Sequence, residues 1–173
     1  MKTSKKSPKP NKIFNYKNNL YPEYIKHGNA CSFIIPYAKH FCEGNGLDIG
    51  GFLDWTFPGA KPINITNNDG FDAYNLPSLQ YDYIFSSHTL EHLGDYVKAL
   101  RYWKEHLNDN GVLFLYLPHP DMEYWLPQNN SKHLHIFEPS QVKKTLLDIG
   151  FNNVINSERD LYWAFSVVGF MSE

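Results

Sequence analysis

The chain is poor in the features that would place it outside a reducing, aqueous compartment. It has only two cysteines, Cys31 and Cys42, in 173 residues. That is too few for a disulfide framework in a chain of this length. No apolar run approaches the length that spans a bilayer. The lysines near the N-terminus are followed by no apolar stretch, so they do not read as a secretory signal. A cytoplasmic location without membrane attachment is the expectation. Internal repeats are also absent, which excludes solenoid and propeller architectures. The net charge is only -2, but it is unevenly spread. The first 26 residues hold seven lysines and one acid, Glu23, and the rest holds nine basic and seventeen acidic residues. An acidic body argues against a broad nucleic-acid footprint.

What is present is apolar and aromatic. Hydrophobic residues make up 42% of the chain, enough for one buried core. Residues 1–28, rich in Lys, Asn, Ser and Pro, read as a flexible basic arm, and 29–173 as the folded domain. Tyr16, Leu20, Tyr21 and Tyr24 are placed to pin the second half of the arm onto the body. A short apolar segment at 30–43 suggests a helix starting near Pro36. Gly46–Gly51 reads as a buried strand entering a glycine turn, Pro62–Thr66 as a second strand and Tyr83–Ser87 as a third. Asp95 stands where a helix N-cap belongs, and Val97, Leu100, Trp103 and Leu107 follow at helical spacing. The turn cluster Asn108–Gly111 ends that helix, and the continuous apolar run Val112–Leu117 suits a strand covered on both faces. Pro139 fits the first turn of another helix, with Val142, Leu146 and Ile149 facing inward and Gly150 ending it. Val154-Ile155 and Tyr162–Phe170 follow closely enough to pair as an antiparallel hairpin. The order points to a layered α/β fold.

Three segments carry a resemblance to the class I, Rossmann-like S-adenosylmethionine (SAM)-dependent methyltransferases of small-molecule type, in a shortened form. They are Leu47-Asp48-Ile49-Gly50-Gly51, then Asp72-Ala73-Tyr74-Asn75-Leu76-Pro77. The third is Tyr81-Asp82-Tyr83-Ile84-Phe85-Ser86-Ser87-His88-Thr89-Leu90-Glu91-His92, followed by Asn110-Gly111-Val112-Leu113. The resemblance covers about residues 46–170. It implies a three-layer fold with a reduced, mostly parallel sheet and an antiparallel C-terminal hairpin. In the family's strand count the order would be 2-1-4-5-7-6, with the third strand missing. It also implies SAM as cofactor, with Asp48, Gly50, Gly51, Asp72, Ala73, Ser87 and His88 along the cofactor side. The reaction would be methyl transfer to an O or N atom of a small polar acceptor. The chain departs from the family where Phe52 replaces a glycine. It departs again between Gly51 and Pro62, where the crossover is too short for a helix. The acid that would hold the ribose is also missing, with Asn64, Thr66, Asn67 and Asn68 in its place. These departures keep open a second reading, a catalytically silent methyltransferase-like binding module. The sheet edge bared by the missing strand is a surface that a second copy could cover, giving a homodimer.

Chemistry-bearing residues concentrate at strand ends in the second half. His88 and His119 leave neighbouring strands from the same edge of the sheet and are the candidate catalytic residues, either one serving as a base toward a hydroxyl or amine. Capping or loop hydrogen bonding is the plain alternative. His88–His92 spells the H-x-x-E-H string of some zinc proteases, but it follows a buried strand where a loop and short turn are expected, not one helix face. His119-x-Asp121 and His133-x-His135 offer nitrogen and oxygen donors, or a hydrogen-bonded lid; no metal is expected. The insertion 118–138 is long enough to be functional, and Tyr124 and Trp125 either stack on a planar ligand or bury to hold the loop. In the shortened crossover, Trp55–Gly59 is expected to plug the sheet face with aromatics.

Overall fold

The computed structural model describes residues 12–27 and 31–172. A hairpin of β1 (Ile13–Tyr16) and β2 (Asn19–Pro22) comes first. Then follow α1 (Cys31–Ala38), β3 (Gly46–Ile49), β4 (Lys61–Ile63), β5 (Tyr81–Ser87) and α2 (Tyr96–Glu105). The chain closes with β6 (Leu107–Pro118), α3 (Pro139–Asp148), β7 (Asn153–Asn156) and β8 (Ala164–Phe170). Six strands form the main sheet in the order β4-β3-β5-β6-β8-β7. The first four are mutually parallel, and β8 runs antiparallel to both neighbours. In the family's count this is 2-1-4-5-7-6, the order expected.

Alternation along the strands divides the core in two. Leu47, Ile49, Ile84, Leu113 and Leu115 face α2 and α3, where Leu100, Trp103, Val142 and Leu146 meet them. Tyr83, Phe85, Phe114 and Tyr116 face the other way, toward Ala38 of α1 and Phe57. A sheet covered on both faces needs apolar residues at nearly every position, which explains the unbroken run in β6. Helix α2 starts as expected, with the Lys98 N–H donating to Asp95 Oδ1 at 2.9 Å. Helix α3 has Pro139 in its first turn, and Gly150 at φ +95° ends it.

Four boundaries differ from the sequence reading. Helix α1 contains Pro36 instead of starting there; the carbonyl that loses its donor belongs to exposed Ser32, where water can serve. Strand β4 stops at Ile63 because the Asn64 Oδ1 accepts from the Thr66 N–H and hydroxyl, at 3.1 and 2.8 Å, and bends the chain. Asn108–Gly111 is not a free turn but the bulged start of β6, where the register passes from Tyr81↔Leu107 to Tyr83↔Val112. The last strand begins at Ala164, after a turn in which Asp160 accepts from the Tyr162 and Ala164 N–H groups.

Between β3 and β4 a short 3-10 turn, Leu53–Trp55, stands in place of a helix. Phe57 fills the space, its ring 4.7 Å from Phe85 and 5.6 Å from Tyr83, while Trp55 remains 48% exposed. The aromatic plug is therefore Phe57 alone. The outer strand β4 is three residues long and carries Pro62, features that blunt an edge against strand pairing.

In the stretch read as the arm, Tyr21 is buried with its ring 4.8 Å from Trp163, and Phe14 and Tyr16 meet Tyr124 edge-on. With Ile25, Met122 and Trp125 they form a small core of their own. Leu20 is exposed. Residues 1–11 of the arm, the boundary near residue 28 and the Tyr24 side chain lie outside the described residues. No helix among the described residues is long and apolar enough to cross a membrane.

Candidate functional site

A cleft of about 600 Å³, counting space open to solvent, lies at the C-terminal ends of the parallel strands. That is where ligands sit in open α/β sheets. Gly50 follows β3, Asn64 and Ile65 follow β4, Thr89 and Leu93 follow β5, and Asp72, Ala73 and Tyr74 supply the outer wall. Neither Phe52 nor Trp55 is among its lining residues.

Each wall has a local cause. Gly50 has φ +100°, and a Cβ there would come within 1.9 Å of Thr89 Oγ1, so only glycine permits the close crossing of these two loops. The Asn64 amide donates to the Gly50 carbonyl at 3.1 Å and braces the turn. The Ser86 hydroxyl donates to the Ile49 carbonyl at 2.8 Å, tying the ends of β3 and β5 together. Asp72 accepts the Tyr74 N–H at Oδ1, 2.7 Å away, in a small turn closed by backbone bonds to Asn75. Its second oxygen can then accept from an adenine amino group. An apolar floor, a close backbone turn and one carboxylate at the rim fit SAM.

Of the cofactor-side residues expected from sequence, the cleft brings together Gly50, Asp72 and Ala73. Asp48, Gly51 and Ser87 do not line it. Asp48 points to the opposite sheet face, where its Oδ2 accepts the Phe57 N–H at 2.6 Å. Burial pushes its carboxyl up to about 7, against the lowering effect of that bond. A Cβ on Gly51 would meet the same carboxylate at 2.7 Å. The Ser87 carbonyl accepts from the Thr89 hydroxyl at 3.2 Å. Thr89 and Asn64 were missed as site residues, although their small polar character at strand ends marked them.

Beyond Thr89 the chain turns through Leu90–His92 and gathers four titratable groups. Glu91 is fully buried, and neither carboxylate oxygen has a hydrogen-bond partner among the described residues. His88 Nδ1 lies 3.6 Å and His133 Nε2 3.9 Å from Glu91 Oε1, both beyond hydrogen-bond length. Burial drives Glu91 up to about 8. Burial first, then the neighbouring His133 and His92, drives His88 down to about 3. The His88 backbone has φ +49°, and its ring sits 4.6 Å from Trp125 and 5.6 Å from Tyr116.

The insertion forms a second, smaller pocket, about 210 Å³ counting space open to solvent but with interior room for about one water, lined by His119, Met122, Trp125, His133 and His135 among others. His119 lines this pocket and His88 does not; the His88 ring packs on Trp125, which also lines it. His119 Nδ1 accepts the Asp121 N–H at 3.2 Å and lies 3.5 Å from Asp121 Oδ2. The donors that His119, Asp121, His133 and His135 offer do not come together in one group among the described residues. His135 Nε2 is 2.7 Å from the Leu93 carbonyl, which uses its ring to hold the loop. Trp125 is buried in the hairpin core, while Tyr124 packs under Phe14 and Tyr16.

The model of a methyltransferase domain family matches residues 26–156. Among solved structures, a SAM-dependent methyltransferase from Thermotoga maritima superposes with a TM-score of 0.69 at 15% identity, covering 86% of this chain and 92% of that one. One from Archaeoglobus fulgidus gives 0.62 at 15% identity, covering 86% and 100%. A phosphoethanolamine N-methyltransferase from Haemonchus contortus, solved with SAM, gives 0.57 at 14% identity, covering 73% of this chain and only 38% of its own. No curated protein matches. Likeness at such identities speaks for the fold, and the match over most of the chain speaks for the family. The chain belongs to the methyltransferase domain family, in its Rossmann-like, SAM-dependent class.

Proposed function

We propose that this protein transfers the methyl group of SAM to an O or N atom of a small polar acceptor held beneath the 118–135 insertion. The open cleft at the strand ends, with Gly50, Asp72 and Ala73 in its walls, carries the reading. SAM supplies an electrophilic methyl group, so the protein's task is alignment and exclusion of water more than acid–base chemistry. Asp72 and the Gly50 turn hold the cofactor side. His88, wedged between Trp125 and Tyr116, is a positioning group behind the acceptor. His119 is the base toward the acceptor's proton: it takes it at Nδ1, which must first release the Asp121 N–H it accepts, and the Asp121 carboxylate, 3.5 Å away, then stabilises the imidazolium.

One observation favours the silent-module reading. Asn64 stands where the family's ribose acid would be, and both ends of its amide are used within the protein. Incubation of the full chain with SAM and a panel of hydroxyl- and amine-bearing acceptors, read as S-adenosylhomocysteine by mass spectrometry, separates the two. The enzyme reading predicts product with one acceptor class, and His119→Gln lowers kcat at least tenfold without changing the KM for SAM. Product at the no-acceptor level throughout the panel would contradict it.

A further inference from the structure

We propose that Glu91, His92 and His133 form a binding site for a divalent transition-metal cation between the SAM cleft and the insertion pocket. One donor atom from each lies within 4.8 Å of the other two. In a bound site with metal–nitrogen distances near 2.0–2.1 Å, donors stand roughly 3.4 Å apart, so closure takes side-chain shifts of about an ångström.

Three independent features point to a cation. The first is the Glu91 carboxyl, wholly buried and without a hydrogen-bond partner from any other described residue. A buried polar group without a partner is costly, and native structures rarely leave one without a reason. Its surroundings offer no lysine or arginine within ion-pair distance among the described residues, only the rings of His88 and His133. The second is His92, whose Nδ1 is 2.7 Å from the Lys132 carbonyl. That bond places the ring proton on Nδ1 and leaves the Nε2 lone pair for a metal, the usual outer-shell arrangement of a ligating histidine. The third is the convergence of chain segments. Glu91 and His92 come from the turn after β5, His133 comes from the insertion, and the backbone bond from the Leu134 N–H to the Glu91 carbonyl, 2.7 Å, fastens the two.

Two imidazoles and one carboxylate suit zinc, iron(II), cobalt or manganese better than magnesium or calcium, which prefer oxygen donors. Three protein ligands would leave a coordination position open. Thr89 and Leu93, on either side of the Leu90–His92 turn, line the SAM cleft, and His133 lines the insertion pocket. The open position therefore suits an oxygen of the acceptor, which on the methyl-transfer reading makes the acceptor a hydroxyl- or carboxylate-bearing molecule.

The test uses the full chain, stripped with chelator and titrated with Mn²⁺ and Zn²⁺ by calorimetry, with Mn²⁺ paramagnetic resonance as a second readout. One equivalent is expected to bind. His92→Gln/His133→Gln should weaken binding at least tenfold while circular dichroism shows the fold retained. His40→Gln, at an exposed histidine elsewhere, should bind as the wild type does. No saturable binding, or equal binding by the double variant, would overturn the proposal. Binding of SAM measured on the stripped protein tests the methyl-transfer reading separately, so the two can fail independently.

Discussion

The two halves of the sheet use their polar residues differently. On the β3–β4 side the carboxylate and amide groups are turned inward to serve the fold: Asp48 accepts from Phe57, and Asn64 braces Gly50 and caps Thr66, while the buried Thr56 hydroxyl alone has no partner there among the described residues. On the β5–β6 side, the carboxylate oxygens of Glu91 and Nε2 of His88 are buried without hydrogen-bond partners. The first half has lost a helix and replaced it with side-chain bonds that stabilise a short crossover. The second keeps buried polar groups that the protein's own side chains leave unsatisfied. Polar residues at strand ends are thus not equivalent evidence of function; what matters is whether the fold already satisfies them.

The comparison breaks most readily at the crossover. Phe57 substitutes for an entire helix, so Phe57→Ala should cost about 3–5 kcal/mol, read from urea unfolding. A loss below about 1 kcal/mol would mean that the crossover is not held by that ring. Next is Asp48. Its carboxyl is raised by burial to about 7, so the native state holds a proton that the unfolded chain releases near the ordinary value of 3.8. Between those values the native state binds more protons, and stability falls as pH rises, by on the order of 4 kcal/mol from this group. Asp48→Asn keeps an acceptor for Phe57 N–H and removes that contribution. The difference in stability between wild type and variant should therefore grow from pH 4 to pH 7 in the variant's favour and level off above. Asp72→Ala, on the ligand-facing rim, should leave unfolding within about 1 kcal/mol and weaken SAM binding about tenfold or more, as expected for a lost hydrogen bond to a carboxylate. Trp55→Ala gives the smallest effect. The exposed ring shares the crossover with Phe57 but contributes neither core nor cleft, so stability should shift by less than about 1 kcal/mol and SAM affinity should not change.

Much of the fold was legible because it follows from periodicity and punctuation. The runs in β5 and β6, the Asp95 cap and the Pro139 and Gly150 boundaries are local signals, and they led to the sheet order found. The β1–β2 hairpin was not read. Its Lys17-Asn18 turn, with φ of 48° and 69°, lies in a stretch whose lysines and asparagines read as disorder. Its stability comes from distant partners, Tyr124 and Trp163. The site divides the same way. Gly50 follows a strand, and Asp72 and Ala73 lie in a segment that carries the family resemblance, whereas the pairing of Glu91 with His133 spans a loop with no period to fix it. Asp48 was assigned to the cofactor from its motif, yet alternation in a strand four residues long sends its side chain to the opposite face.

The central claim is a working SAM cleft in a protein whose cofactor half has been cut short. Calorimetric titration of the purified protein with SAM and with S-adenosylhomocysteine tests it most directly. The account predicts saturable binding of each at one site. Absence of heat and of any rise in Tm at millimolar ligand would contradict it and leave the chain as a methyltransferase fold without its cofactor.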